Sequence, residues 1–313
     1  MPRPRDSVRT TQLRTALQQF HSNTYPLPGI QAVKRRDAFV EQVLESLHRI
    51  EFVTRIQQRP LSSDRRNPAS DLFDPLKAAI LFQRSGQTDE AFWMVFLFVH
   101  FGKNAKTGYR LARDVYGALG GQPWTWARVS GDPKAFRQWL GANLGTLQGG
   151  DGIPRHFGNH RKYESLNATS NSGTGAAVES YVAWVGSTRN HQTRIQQVLQ
   201  QFAGDPRKTF HALYRSMKSV KRFGRTARFD YLTMVGKLQL APIEPGSTYM
   251  QGATGPFEGA RLLFGDSKGK LSRADLDARL VQLGKQTGLG MQVLEDSLCN
   301  WQKSPDSFIP FRG

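Results

Sequence analysis

Three glycines, Gly252, Gly255 and Gly259, fall within eight positions of the stretch "GATGPFEGARLLFGD" (252–266). Glycine removes the Cβ that would stand between a backbone and an anion. A tight turn delivering N–H groups at a helix start is therefore an anion grip. The pattern is neither a Walker A nor a dinucleotide fingerprint, and an ordinary helix connection fits it as well. A second stretch, "RKTFHALYRSMKSVKRFGRTAR" (207–228), holds eight Lys/Arg and no Asp or Glu. Phe210, Leu213, Met217 and Val220 recur there at spacings of three and four, while Arg215, Lys218, Lys221 and Arg222 project elsewhere. The spacing predicts an amphipathic helix with one cationic face. Such a face binds phosphates of DNA or RNA, or is a solvated charge run.

The elements that must carry these groups read as helical. "AFVEQVLESLHRIEFVTRI" (38–56) puts Phe39, Val43, Leu47 and Ile50 on one face, and Asp74 and Pro75 open a helix over 75–87. Helices are also expected at 90–101, 106–119, 134–145, 174–185, 192–203, 207–222, 275–285 and 291–302. Period-two β-branched runs are nearly absent, so the fold class is all-α. Polar loops separate the helices at 58–71, 149–160, 167–175 and 240–247. The 313 residues carry 43 Lys/Arg against 25 Asp/Glu, a formal net charge of +18. That balance points to a polyanionic partner. Cys299 is the single cysteine, which excludes an internal disulfide framework or a zinc cluster and fits a reducing cytoplasm. "MPRPRDSVRT" is not a signal peptide, and "AFWMVFLFVHFG" (91–102) is too short to span a bilayer and reads as a buried core helix.

Several segments resemble the helix-hairpin-helix DNA glycosylases of the endonuclease III and MutY type. "GATGPFEGARLL" is similar to their hairpin, with an altered glycine register. "FDPLKAAILFQRSGQ" (73–87) and "HFGNHRKYESL" (156–166) resemble two other family helices. Aligning "GKQTGL" in "ADLDARLVQLGKQTGL" (274–289) on the end of the family's catalytic helix puts Asp277 at the family's aspartate. The nucleophilic lysine of bifunctional members would fall near Phe257 or Glu258, where none stands, and the iron–sulfur cysteines are missing. "FGNHRKYE", "RFGRTARFDYL", "GATGPFEGARLLF" and "LEDSLCNWQKS" resemble one branch most closely, the alpha-glutamyl/putrescinyl thymine pyrophosphorylase-like proteins of clade 3, over about residues 25–313.

The resemblance implies a two-lobed glycosylase-like domain, with 72–166 as one lobe and 1–71 plus 167–313 as the other. The hairpin is expected at 249–264. It implies that Asp277 stabilises the sugar cation formed on N-glycosidic cleavage. Asp275, two positions earlier, is the alternative cap or acid, and Asp230 a second alternative. The same residues also read as ordinary helix-start acids or, for Asp230 beside Arg225 and Arg228, as an Arg–Asp pair. A base must leave the duplex before its glycosidic bond is reached. Gln83 and Arg84 are candidates to fill the gap, and Asn159, His160, Lys162 and Tyr163 to line the base pocket; loop and capping roles are the alternative. Expected DNA contacts are Gly252, Gly255, Gly259 and Arg261, with Arg215, Lys218, Lys221, Arg222 and Arg225. Trp301, Glu295 and Asp296 read as core and caps.

The expected activity is monofunctional excision of a bulky modified pyrimidine, such as glucosylated hydroxymethylcytosine or a hypermodified thymine, from phage DNA as antiviral defence. One rival is a pyrophosphorylase or transferase that builds a hypermodified thymine; another is a DNA-binding protein without catalysis. No cofactor and no metal are expected. The expected partner is double-stranded DNA with modified bases, with no membrane contact, a monomeric state and a cytoplasmic location.

Overall fold

A computed structural model describes residues 6–161 and 163–310. Fourteen α-helices and no β-strand occur among the described residues, so the protein is all-α. Its chain falls into two compact units, one formed by the chain up to Val53 together with the segment from Pro245 onward, the other by Thr54–Glu244. The first holds α1 (Ser7–Asn23), most of α2 (Val33–Gln57), α12 (Gly255–Leu263), α13 (Arg273–Thr287) and α14 (Met291–Trp301). The second holds α3 (Pro75–Arg84), α4 (Thr88–Phe101), α5 (Arg110–Tyr116), α6 (Trp126–Gly131), α7 (Pro133–Ala142), α8 (Thr174–Val185), α9 (His191–Gln201), α10 (Pro206–Ser216) and α11 (Arg225–Lys237). These bounds differ from the 72–166 partition expected from the motifs, because α9 and α11 pack on α4 and draw 174–237 into its unit.

Local rules set the helix starts. The Asp74 carboxylate accepts from Leu76 and Lys77 N–H, and Pro75 supplies the first helical φ of α3. Ser272 and Asp275 form a reciprocal capping box at α13. In the first unit, Leu17 and Phe20 of α1, Phe39 and Val43 of α2, and Leu263, Leu280 and Leu294 of the C-terminal helices share one core. The core of the second unit surrounds α4, whose Ala91–Leu97 segment is wholly buried, as the apolar run predicts. Buried polar groups there are chained across four helices. Asp89 accepts from the His191 Nδ1–H at 2.7 Å, His191 Nε2 faces the Tyr181 hydroxyl at 2.7 Å, and that hydroxyl meets Tyr231 at 2.7 Å. Burial holds His191 below its ordinary pKa, so the neutral ring keeps its proton on the side of the carboxylate.

Two of the expected helices are shortened most. The 106–119 helix begins only at Arg110, because the Asn104 side chain accepts from Lys106 and Thr107 N–H and bends the chain into a turn. The 207–222 helix ends at Ser216. A 3-10 turn at Met217–Ser219 follows, and Arg222 takes a φ of 64°. The Ser216 and Ser219 hydroxyls bond back to Leu213 and Ser216 carbonyls, an alternative to continuing the helix. The basic segment 207–228 is therefore two helices and a corner, although Phe210, Leu213, Met217 and Val220 are all buried as expected. The α1 helix has no counterpart among the expected elements.

Candidate functional site

Within the Thr54–Glu244 unit, the polar loop after α7 folds over α5 and encloses an open cavity of about 810 Å³. Leu111, Leu147, Phe157 and Leu166 supply its apolar wall. Gln148, His156, Asn159 and Ser165 supply hydrogen-bonding groups, and Arg155 and Glu164 are its charged members. One buried arginine holds this wall in shape. The Arg155 side chain is 4% exposed and donates to Asp114 at 2.6 Å, to both Asp151 oxygens at 2.8 Å, and to the Thr146 and Ile153 carbonyls. Its hydrogen bonds draw Asp151 down to about 2. Arg113 engages the other Asp114 oxygen at 2.9 Å, and Asp71 as well. Asn104 ties the opposite side by donating to the Phe157 carbonyl at 3.0 Å.

The far end of the loop is pinned to α4, α8 and α11. Arg161 donates to the Val99 carbonyl at 2.7 Å and to Asp230 on α11 at 2.9 Å. Arg222 donates to Glu164 at 2.7 Å and to the Tyr163 carbonyl at 2.8 Å. The Thr174 hydroxyl, at the start of α8, donates to the Ser165 carbonyl and meets His100 Nε2 at 3.0 Å. Burial, with Arg161 and Arg222 nearby, pulls His100 down to about 3, so its ring is neutral. The Asp230 side chain keeps 41% exposure while protein atoms crowd its other sides. That crowding raises its pKa, against the pull of Arg161, Arg225 and Lys237. The partner of Asp230 is thus Arg161, and not the neighbouring Arg228, which is buried, donates to the Gly224 and Tyr214 carbonyls and stacks on the Tyr214 ring.

In the other unit, α13 grips the turn that precedes α12. Asp277 accepts from Thr248 N–H and Met250 N–H at 3.0 Å each, and from the Thr248 hydroxyl. Arg273, one turn earlier, donates to the Met250 and Ala253 carbonyls and lies 3.7 Å above the Phe257 ring. Donors and acceptors of the turn are thus both captured by a single helix face. A Cβ on Gly255 would meet Cys299 Sγ at 2.8 Å, and one on Gly259 the Leu298 carbonyl oxygen at 2.4 Å. These two glycines let α12 lie directly on α14. Gly252 alone of the three takes a positive φ, 78°.

Comparison with protein families matches residues 34–313 to alpha-glutamyl/putrescinyl thymine pyrophosphorylase clade 3. The chain belongs to this family. No curated protein and no solved structure gives a significant match. The matched span includes both the cavity and the α13 grip, and it is the branch that the sequence segments resemble.

Within this family member the remaining candidate residues are dispersed. Arg84 donates to the Gln57 and Arg59 carbonyls, and Gln83 beside it is half-buried. Asn159 lines the cavity; His160 and Tyr163 are exposed on the same loop, Tyr163 by 79%. Lys162 lies outside the described residues. Arg215, Lys218 and Lys221 are exposed, whereas Arg222 is bound to Glu164. Arg225 stacks on Phe229, and Arg261 holds the Asp266 and Ser267 carbonyls. Asp275 serves the capping box, and Ser272 hydrogen bonds lower its pKa. No described helix is long and apolar enough to cross a membrane. Sequence reasoning missed Gln148, Arg155, His156 and Ser165. For Gln148, Arg155 and His156 the signal was the glycine-dense loop "QGGDGIPRH" itself, and Ser165 lies in "HFGNHRKYESL".

Proposed function

We propose that this protein acts on a bulky modified pyrimidine in double-stranded DNA and excises it by N-glycosidic cleavage. The observation that carries this reading is the open cavity of about 810 Å³ with a mixed apolar and hydrogen-bonding lining. Ligand sites of about 300–1,000 Å³ hold drug-sized molecules, so this volume suits a base with a large substituent better than a bare base. A base reaches such a cavity only when it leaves the stack. The net charge of +18, with Arg215, Lys218 and Lys221 exposed on one basic segment, supports a DNA partner.

Excision needs a carboxylate placed against the developing sugar cation. Asp277 is our assignment, made from the resemblance of its helix to the glycosylase catalytic helix and independently of the cavity, which belongs to the other unit. Three hydrogen bonds orient its carboxylate before any substrate arrives, and its side chain stays half-exposed. Asp230 is the alternative, a solvent-touching acid held by Arg161. With no lysine at 257 or 258, the reaction ends at an abasic site with no covalent adduct. The setting we propose is defence against DNA whose bases are modified.

The family description favours a second reading, a pyrophosphorylase or transferase in thymine hypermodification. Purified protein incubated with modified and unmodified DNA separates the two. Excision releases free base and leaves alkali-labile sites; transfer changes the mass of the base and leaves the strand intact. Asp277→Asn should reduce release by about 100-fold or more while DNA binding persists. Release at the wild-type rate would move the role to Asp230.

A further inference from the structure

The charged side chains of the cavity are already spent. Arg155 is saturated by Asp114, Asp151 and two carbonyls. Glu164 is neutralised by Arg222, whose second nitrogen holds the Tyr163 carbonyl. Asn104 has both ends of its amide engaged. Among the described residues, the Gln148 amide and the His156 ring make no hydrogen bond, and the Ser165 hydroxyl only accepts, from Asn167 N–H. These three side chains are exposed at the cavity lining, interleaved with Leu147, Phe157 and Leu166.

We infer that the cavity selects an uncharged, hydroxyl-rich base substituent through Gln148, His156 and Ser165, and discriminates against anionic and cationic ones. An amide, an imidazole and a hydroxyl each offer donor and acceptor atoms, which matches a polyol whose hydroxyls do both. Among the described residues of the lining, a phosphate, pyrophosphate or carboxylate entering here would find no unpaired cation, since Arg155 and Arg222 are held by carboxylates. An ammonium group would find no unpaired anion among those described residues either. Either would shed water for no compensating partner, which is costly. This inference rests on the reading that a modified base enters the cavity, and it names the class of modification.

The test uses the full chain and three short duplexes, each with one 5-substituted deoxyuridine. The substituents are of similar size: a neutral polyol ether, an aminoalkyl and a carboxyalkyl. Affinity is read by fluorescence anisotropy relative to the unmodified duplex, which divides out backbone binding. The polyol duplex should bind at least about tenfold tighter than either charged one. Ser165→Ala and Gln148→Leu should each erase about three- to tenfold of that preference. Gln148→Glu places an unpaired carboxylate in an exposed position and should turn the preference toward the aminoalkyl duplex. Because these positions are exposed, unchanged thermal unfolding is expected and is measured alongside. Equal or tighter binding of the carboxyalkyl duplex, competition by inorganic pyrophosphate, or a preference indifferent to all three substitutions would overturn the inference. A polyol preference without any release or alteration of base would sink the proposed reaction and leave this inference standing. Base release with equal affinity for the three duplexes would do the reverse.

Discussion

The turn at 248–254 and the loop at 146–166 are both glycine-rich and polar, and they do opposite things with their polar groups. In the first, Asp277 takes N–H donors, Arg273 takes carbonyls, and Gly255 and Gly259 are used up by contact with α14. In the second, one buried arginine absorbs the charges and carbonyls of the wall, and Gln148, His156 and Ser165 are left facing open space. The contrast teaches that residue type does not separate scaffold from site; unspent hydrogen-bonding capacity does. The turn is a clamp that fixes Asp277, and the cavity is where we propose that a ligand finds partners.

The contrast can be strained first through acid. His100 supports the Ser165 end of the loop and is buried neutral, with a folded pKa near 3 against an ordinary value of about 6.5. A base whose pKa is depressed on folding contributes stability that is complete above the unfolded value and is lost as pH falls toward the folded one. Unfolding free energy from urea titrations should drop by up to about 4 kcal/mol between pH 6.5 and 3 on this account. The depressed Asp89 and Asp151 act in the same direction at the lower end of that range. His100→Gln keeps a donor for Thr174 and should flatten the histidine part of the slope. A slope unaltered by that change would place the acid sensitivity elsewhere.

Packing is the next lever, on the clamp side. Gly259→Ala drives a methyl group to 2.4 Å from the Leu298 carbonyl, which forces α12 off α14. The expected loss is about 3 kcal/mol, seen in the urea midpoint. A loss under 1 kcal/mol would mean that the glycine serves the ligand and not the packing. On the DNA side, reversing Lys218 and Lys221 to Glu should weaken binding about tenfold or more and lower the salt slope by about 2. Arg222 is omitted from that pair because Glu164 already holds it. Smallest of all is Gly252→Ala, which puts a side chain at a left-handed position, φ 78°; it should cost about 1 kcal/mol and spare base release.

Much of the fold was legible in local signals. Asp74–Pro75, Ser272–Asp275 and the apolar 91–102 run each announce their helix through capping or composition. The basic segment misled because three- and four-residue spacing also suits a helix followed by a 3-10 turn, and Met217 and Val220 are buried either way. The site was legible only in part. Asn159 on the cavity wall follows from the motif, but the identity of the unspent groups depends on which partners Arg155, Arg161 and Arg222 find. Those partners stand 41, 69 and 58 residues away in the chain for Asp114, Asp230 and Glu164. No local pattern encodes such pairings.

The central claim is that the protein removes a modified base from DNA, and mass spectrometry of released bases tests it most directly. Wild-type protein is incubated with DNA containing a polyol-substituted pyrimidine and with the same DNA unmodified; the soluble fraction is assayed for free base and the strand for abasic sites. The account predicts equal amounts of substituted base and abasic site from modified DNA, none from unmodified DNA, and no adduct trapped by borohydride. Modified DNA recovered with every base in place, unchanged or enlarged in mass, would contradict it.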